Sequence, residues 1–282
     1  MDFAISATLN GLTLISILML VGMGLAIIYG LMGIINMSHG DFITIGAFSL
    51  ALVQGFGGSF WLALILAPFI GAVVGFAIEK SIVQFLYKRP LATIMATWGV
   101  SLIIQQSLQL IFGAAPQRVS APITENIDLF GTPYPVYRLT LIAIAITIVW
   151  GTHFILKRTR FGLELRTVIQ NPEMADSLGI DTKRVYAIAF SLATGLSAIA
   201  GVLLAPLTAV IAQMGVNYLA RSFFVVIVGG AGGVPGVIAG SSFVGGLETV
   251  FNYAMPATMS QALVLILAII LVRFRPSGIV SR

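Results

Sequence analysis

Apolar runs too long for a soluble core restrict this chain to one class of fold. They cover residues 7–34, 60–86, 91–112, 136–156, 185–211 and 259–272, with a shorter run at 41–53. A helix needs about 20 apolar residues to cross the hydrocarbon core of a bilayer. No water reaches that core, so the backbone must satisfy its own hydrogen bonds, and a helix does so within one segment. Charged residues are 9% of the 282, against about 25% in a soluble domain, which implies surface that faces lipid. The apolar–polar alternation of an outer-membrane barrel strand is absent. The fold class is therefore all-α: a polytopic transmembrane helical bundle of about eight membrane segments, one or two of them broken or re-entrant, expected to form a single domain over 1–282.

A formal charge of +5 invites a nucleic-acid partner, but the basic residues sit in short loops between apolar runs, which is the positive-inside signature of a membrane protein. By that rule the loops at 80–89 and 157–184 and the C-terminal tail are cytoplasmic. The second of these holds six of the fifteen Lys and Arg residues. The loop at 113–135, with Arg118 inside it and Arg138 at its edge, is external. Without cysteine there are no disulfides, thiolate metal sites or thiol catalysis. No Lys or Arg precedes the first run, so the N-terminus is expected not to be a cleavable signal peptide.

The charge map creates a parity problem. From an external loop near Asn217 and Arg221 the chain must reach a cytoplasmic C-terminus, yet the Gly-rich segment 222–251 intervenes. If that segment enters and returns on one side, a single last crossing ends inside. A break at 229–236 fits, and the polar stretch 36–41 before the short run is a candidate matching break. Paired breaks in two halves point to a midplane pathway in transporters, and irregular backbone at depth is tolerated where it lines a protein-enclosed cavity. Gly230, Gly232 and Gly236 are then pathway candidates. Close helix packing by small residues is the competing explanation. No Lys follows the segment, so it is not a phosphate loop.

Polar side chains next to apolar runs supply the other candidates. Asn36, Ser38, His39 and Asp41 form either a polar lining of the pathway or a plain loop in which Asp41 caps the next helix; a proton relay through His39 and Asp41 is a further option. Thr97, Trp98, Ser101 and Gln105 lie along one run, the last three on one helical face. They either meet the solute or hydrogen-bond between helices, at about 0.6 kcal/mol each. Glu248 is an acid in an apolar setting with no evident partner in sequence.

The stretch 157–184 is too long for a tight turn. Asn171 suits an N-cap, Pro172 a first turn and Gly179 a C-terminal stop, which predicts a helix of six or seven residues. Met174, Ala175 and Leu178 give it an apolar face suited to a groove on a partner protein. Arg166 upstream is placed to hold the loop near anionic headgroups or an acidic partner.

At these residues the chain resembles the permease subunits of the ABC importers for branched-chain amino acids and for urea or short amides. The resemblance rests on Gly24-Leu25-Ala26-Ile27-Ile28-Tyr29-Gly30 leading to Asn36-Met37-Ser38-His39-Gly40-Asp41, on residues 166–180, and on Val228-Gly229-Gly230 through Gly240. It implies a coupling role for Arg166, Asn171, Met174, Ala175, Leu178 and Gly179 against an ATPase on a separate chain. The partners it implies are a second related permease subunit, two cytoplasmic ATPase subunits, an extracytoplasmic solute-binding protein and the lipid bilayer, with no nucleic acid and no cofactor, in the bacterial cytoplasmic (inner) membrane. The run from Leu91 to Ser101, with Ala96-Thr97-Trp98-Gly99 at its centre, is similar to the urea branch, so urea or a short amide is the expected solute and a branched-chain amino acid the alternative. A reading of a different class is an ion-coupled carrier acting alone, with His39, Asp41 and Glu248 as its coupling-ion candidates. An enzyme is disfavoured, since no metal-ligand cluster or nucleophile–base pair stands out.

Overall fold

A computed structural model describes residues 2–33, 36–87, 89–129, 131–230 and 233–280. The helices are α1 (Asp2–Met32), α2 (His39–Gly55), α3 (Phe60–Ser81), α4 (Pro90–Phe112), α5 (Val136–Arg158), α6 (Arg160–Gln170), α7 (Pro172–Ser177), α8 (Thr182–Leu204), α9 (Met214–Gly229), α10 (Val234–Ala254) and α11 (Ala257–Phe274). Seven helical stretches are long and apolar enough to cross a membrane, and α9 is a shorter apolar helix. With α2, these account for the polytopic all-α bundle that the apolar runs required. One element was not expected: the loop 113–135 holds an antiparallel hairpin of β1 (Asn126–Leu129) and β2 (Thr132–Pro135).

The chain divides into two compact units. The larger comprises residues 27–120 and 150–219. Its centre is α2, whose residues 39–50 are all buried. This helix packs against both α3 and α8, which also pack on each other, and glycines make that possible. A Cβ at Gly46 would collide with the carbonyl oxygen of Ala198, and one at Gly201 with that of Ile43. Small residues let membrane helices approach until backbones touch. The same logic is written along α3, where Ala63, Ala67, Gly71, Gly75 and Glu79 recur every fourth residue and are all buried. On the opposite face of α3, Trp61, Ile65, Phe69, Val73 and Phe76 are exposed. In water such a stripe would be an aggregation hazard; in a bilayer it is the lipid-facing surface.

The smaller unit comprises residues 1–26, 121–149 and 220–282. In it α9 and α10 form a broken helical pair, as the parity argument anticipated. The break spans 230–233, between the last residue of α9 and the first of α10. Gly230 (φ 85°) and Gly233 (φ 67°) take left-handed backbone there, which glycine adopts without steric cost. The two arms pack closely, since a Cβ at Gly240 would strike the Val225 carbonyl and one at Gly229 that of Gly236. The C-terminal tail closes the turn: the Ile279 N–H donates to the Val228 carbonyl at 2.8 Å and Val280 to Gly229 at 3.2 Å. These bonds satisfy carbonyls that the end of α9 would otherwise leave open. The break therefore lies beside the tail that follows α11. Arg221, expected in an external loop, lies within α9.

Candidate functional site

The polar stretch before α2 folds into the interior of the larger unit. Asn36, Ser38, His39 and Asp41 are all at most 3% exposed. The Asn36 Oδ1 accepts from the Ser38 N–H at 3.0 Å and from the Ser38 hydroxyl at 2.8 Å, a local turn typical of asparagine. The Asp41 N–H donates to the Ser38 carbonyl at 3.1 Å. α2 starts at His39 with Ser38 in the N-cap position, so Asp41 is not the cap. It lies in the first turn, where its charge complements the helix dipole.

α4 lines this head of α2. The Met37 N–H donates to Thr97 Oγ1 at 3.1 Å. Gln105 Nε2 donates to Asp41 Oδ1 at 3.0 Å and to Ser101 Oγ at 2.9 Å. The inward stripe thus runs Thr97, Ser101, Gln105 at four-residue spacing. Trp98, expected on that face, is 54% exposed: it sits about 100° around the helix from Thr97, which turns its bulk toward lipid.

α8 and the first turn of α9 supply partners that sequence did not signal. Ser197 Oγ and His39 Nε2 are 3.2 Å apart in a hydrogen bond, and the Gly215 N–H donates to Thr44 Oγ1 at 3.0 Å. His39 and Asp41 thus turn to different helices, α8 and α4. Two atoms in this buried cluster lack a hydrogen-bond partner, Asn36 Nδ2 and Asp41 Oδ2. Each such atom costs about 1–3 kcal/mol, an arrangement that a passing solute with one acceptor and one donor would relieve.

Below this cluster, Glu79 ends the small-residue stripe of α3 and is fully buried. The Tyr87 hydroxyl donates to it, and the Tyr87 ring stacks on Tyr186 at 4.6 Å between centroids. Burial, followed by Glu79, pushes the Tyr87 phenol far above its usual range, so it remains a hydrogen-bond donor. Glu79 was visible in sequence only as an acid near a helix end; its place on the i, i+4 stripe was the signal that it points inward.

In the smaller unit, Glu248 has a partner after all. The Arg221 Nη2 is 3.1 Å from Glu248 Oε1, and Gln261 also hydrogen-bonds to the carboxylate. Of the three glycines, Gly236 packs against Gly229, and Gly230 lies against the tail at Ser277; Gly232 is outside the described residues.

The stretch 157–184 holds two helices where one was expected. The amphipathic α6 precedes α7, with Leu165 and Val168 buried and Leu163 and Ile169 exposed. α7 has the predicted caps. Asn171 Oδ1 accepts from the Met174 N–H at 3.0 Å and Pro172 opens the helix. Gly179 has φ 82°, while Ile180 bonds to the Ala175 carbonyl and Gly179 to that of Asp176, both at 3.0 Å, which is a Schellman stop. Met174 (56%) and Leu178 (68%) are exposed, but Ala175 is fully buried. The expected face therefore loses Ala175, because a six-residue helix lying on the bundle must turn its smallest residue inward. The Arg166 Nη1 donates to the Leu156 carbonyl at 2.6 Å, which ties α6 to the end of α5.

Membrane helices packed through glycines, with a buried polar cluster among them and an amphipathic helix pair outside, define an integral membrane transport protein. The chain belongs to the branched-chain amino acid transport system permease component family, whose profile matches residues 7–272. It is 28% identical to the high-affinity branched-chain amino acid transport system permease protein LivH of Escherichia coli K12, covering 97% of this chain and 94% of that one. It is 24% identical to the corresponding protein BraD of Pseudomonas aeruginosa, with the same coverage. A probable branched-chain amino acid transport permease, LivH of Methanocaldococcus jannaschii, is 26% identical over 84% of this chain and 78% of its own. The chain is thus a multi-pass protein of the bacterial inner membrane. These relatives lend no support to the urea or amide expectation; they favour its alternative.

Proposed function

We propose that this chain is the membrane-spanning permease of an ATP-driven importer, and that its solute is an α-amino acid with a branched apolar side chain. The observation that carries the reading is similarity along 97% of the chain to permeases of branched-chain amino acid systems. The geometry at the head of α2 supports it. The buried Asn36 Nδ2 is a donor without a partner and Asp41 Oδ2 an acceptor without one. A zwitterion carries the complementary pair, a carboxylate that accepts and an ammonium that donates. An ammonium brings a full positive charge to the Asp41 carboxylate, an attraction that the neutral amide nitrogens of urea do not offer.

In this proposal a second permease subunit completes the pore, an extracytoplasmic binding protein delivers the solute, and two ATPase subunits meet the cytoplasmic helices. Met174 and Leu178, exposed on α7, fill a groove on the ATPase. The pathway runs by Asn36, Ser38, His39, Asp41, Thr97, Ser101 and Gln105.

The test is uptake into proteoliposomes holding the whole complex, with labelled leucine and labelled urea supplied separately. ATP-dependent leucine uptake is expected, reduced about tenfold or more in Asp41→Asn, since a hydrogen bond to a charged group contributes about 1.5–3 kcal/mol. Uptake of urea and not leucine would restore the amide reading. Leucine uptake by the lone chain without ATP would replace the importer with a carrier.

A further inference from the structure

The ends of α3 and α8 enclose an open groove of about 410 Å³ that the solute pathway does not use. Both helix ends belong to the larger unit, and both lie on the side that bears the cytoplasmic loops. The rim is basic, formed by Lys80, Lys183 and Arg184, while Phe76 and Ile188 line it with apolar surface. One acid, Asp181, also faces it, but its carboxylate accepts from the Arg184 N–H at 3.1 Å as the N-cap of α8. Behind Lys80, the buried Glu79 carboxylate lies 3.9 Å from the ammonium. Two basic side chains, Lys183 and Arg184, thus face the groove without a carboxylate salt bridge among the described residues.

The second observation is what leaves the groove. Phe76 (48% exposed) is the lower end of the exposed stripe Ile65, Phe69, Val73, Phe76 along α3. A ligand held at the rim by its negative charge can lay an apolar chain against that stripe without leaving the membrane. A free inorganic anion would use only the cations; a ligand that fits both parts has a charged head and a long hydrocarbon tail.

We propose that this groove binds the phosphate headgroup of an anionic phospholipid from the cytoplasmic leaflet, with an acyl chain along the outer face of α3. The Lys80 ammonium, 6.0 Å from the centre of the Phe76 ring, marks where headgroup and chain meet. A lipid held here bridges the end of α3 and the start of α8, the two helices that clasp the buried α2. The binding is independent of which solute crosses.

The test uses the full-length chain purified in detergent and titrated with phosphatidylglycerol or phosphatidylcholine, with retained lipid counted by native mass spectrometry. The wild type is expected to retain one phosphatidylglycerol more tightly than any phosphatidylcholine. A basic residue near an anionic lipid surface contributes about a fivefold gain in affinity. Lys183→Gln/Arg184→Gln should therefore weaken phosphatidylglycerol binding by about 25-fold. Lys157→Gln/Arg158→Gln removes the same charge outside the groove and should leave binding unchanged. If the first double variant does not fold, Lys80→Gln is read instead, with a loss of about fivefold expected. Equal retention of the two lipids, or equal loss in both double variants, overturns the proposal. Displacement of the lipid by millimolar inorganic phosphate would mark a free-anion site and overturn it as well.

Discussion

Removing one partner of the Arg221–Glu248 pair should destabilise the protein far more than removing both. The carboxylate side chain is 5% exposed and the guanidinium 22%, at 3.1 Å, so neither charge has much access to water. An ionisable residue left alone at the centre of a membrane helix costs about 2.5–3.5 kcal/mol on insertion scales, and breaking a buried pair in proteins costs about 3–5 kcal/mol. Glu248→Gln keeps the shape but leaves Arg221 without its counter-charge, so a loss of about 3 kcal/mol is expected. For a chain of this size 1 kcal/mol corresponds to roughly 2–4 °C in Tm, which makes the shift about 6–12 °C. The double variant Arg221→Met/Glu248→Met removes both charges and fills similar volume; buried pairs replaced in this way are often neutral or better. Its Tm should lie within about 3 °C of the wild type. Thermal unfolding of the wild type, Arg221→Met, Glu248→Met and the double variant in one detergent, followed by tryptophan fluorescence, completes the cycle. If the two single losses simply add in the double variant, the pair is not coupled and the assignment of Arg221 as the partner of Glu248 fails.

Two further outcomes follow from the packing and the cytoplasmic helices. Gly46→Leu should prevent α2 from seating against α8, because its Cβ would already collide with the Ala198 carbonyl; overpacking of this kind typically costs about 1–3 kcal/mol, and with backbone as the obstacle the yield of folded protein on size-exclusion chromatography should fall sharply, whereas a normal elution profile would contradict the buried position of α2. Met174→Asp/Leu178→Asp should leave the permease folded but lose the ATPase from the purified complex, since both side chains are exposed; retention of ATPase with unchanged uptake would remove the docking role of α7.

Local chemistry made much of this protein legible in advance. The apolar runs gave the spans, because hydrocarbon tolerates only long internally bonded segments. Parity over the Lys and Arg map called for a returning pair at 222–251, and α9 and α10 supply one. Asn171, Pro172 and Gly179 announced α7 and both its ends, since caps are set by residues within one turn of each other. Gly46, Gly201 and the stripe from Ala63 to Gly75 could have announced close packing too, because their spacing is itself a helical property.

What the fold alone decided concerns residues far apart in the chain. Nothing in the run 41–53 said that it would be buried along its length; that follows from α3 and α8 both packing against it. Glu248 waited for Arg221, 27 positions earlier, and Asp41 for Gln105, 64 positions later. The break at 230–233 was legible as glycine, but the tail that bonds to Val228 and Gly229 beside it was not. Ala175 and Trp98 went the other way for the same reason. A helical period fixes which residues share a face, while the neighbours present in space fix which face turns inward.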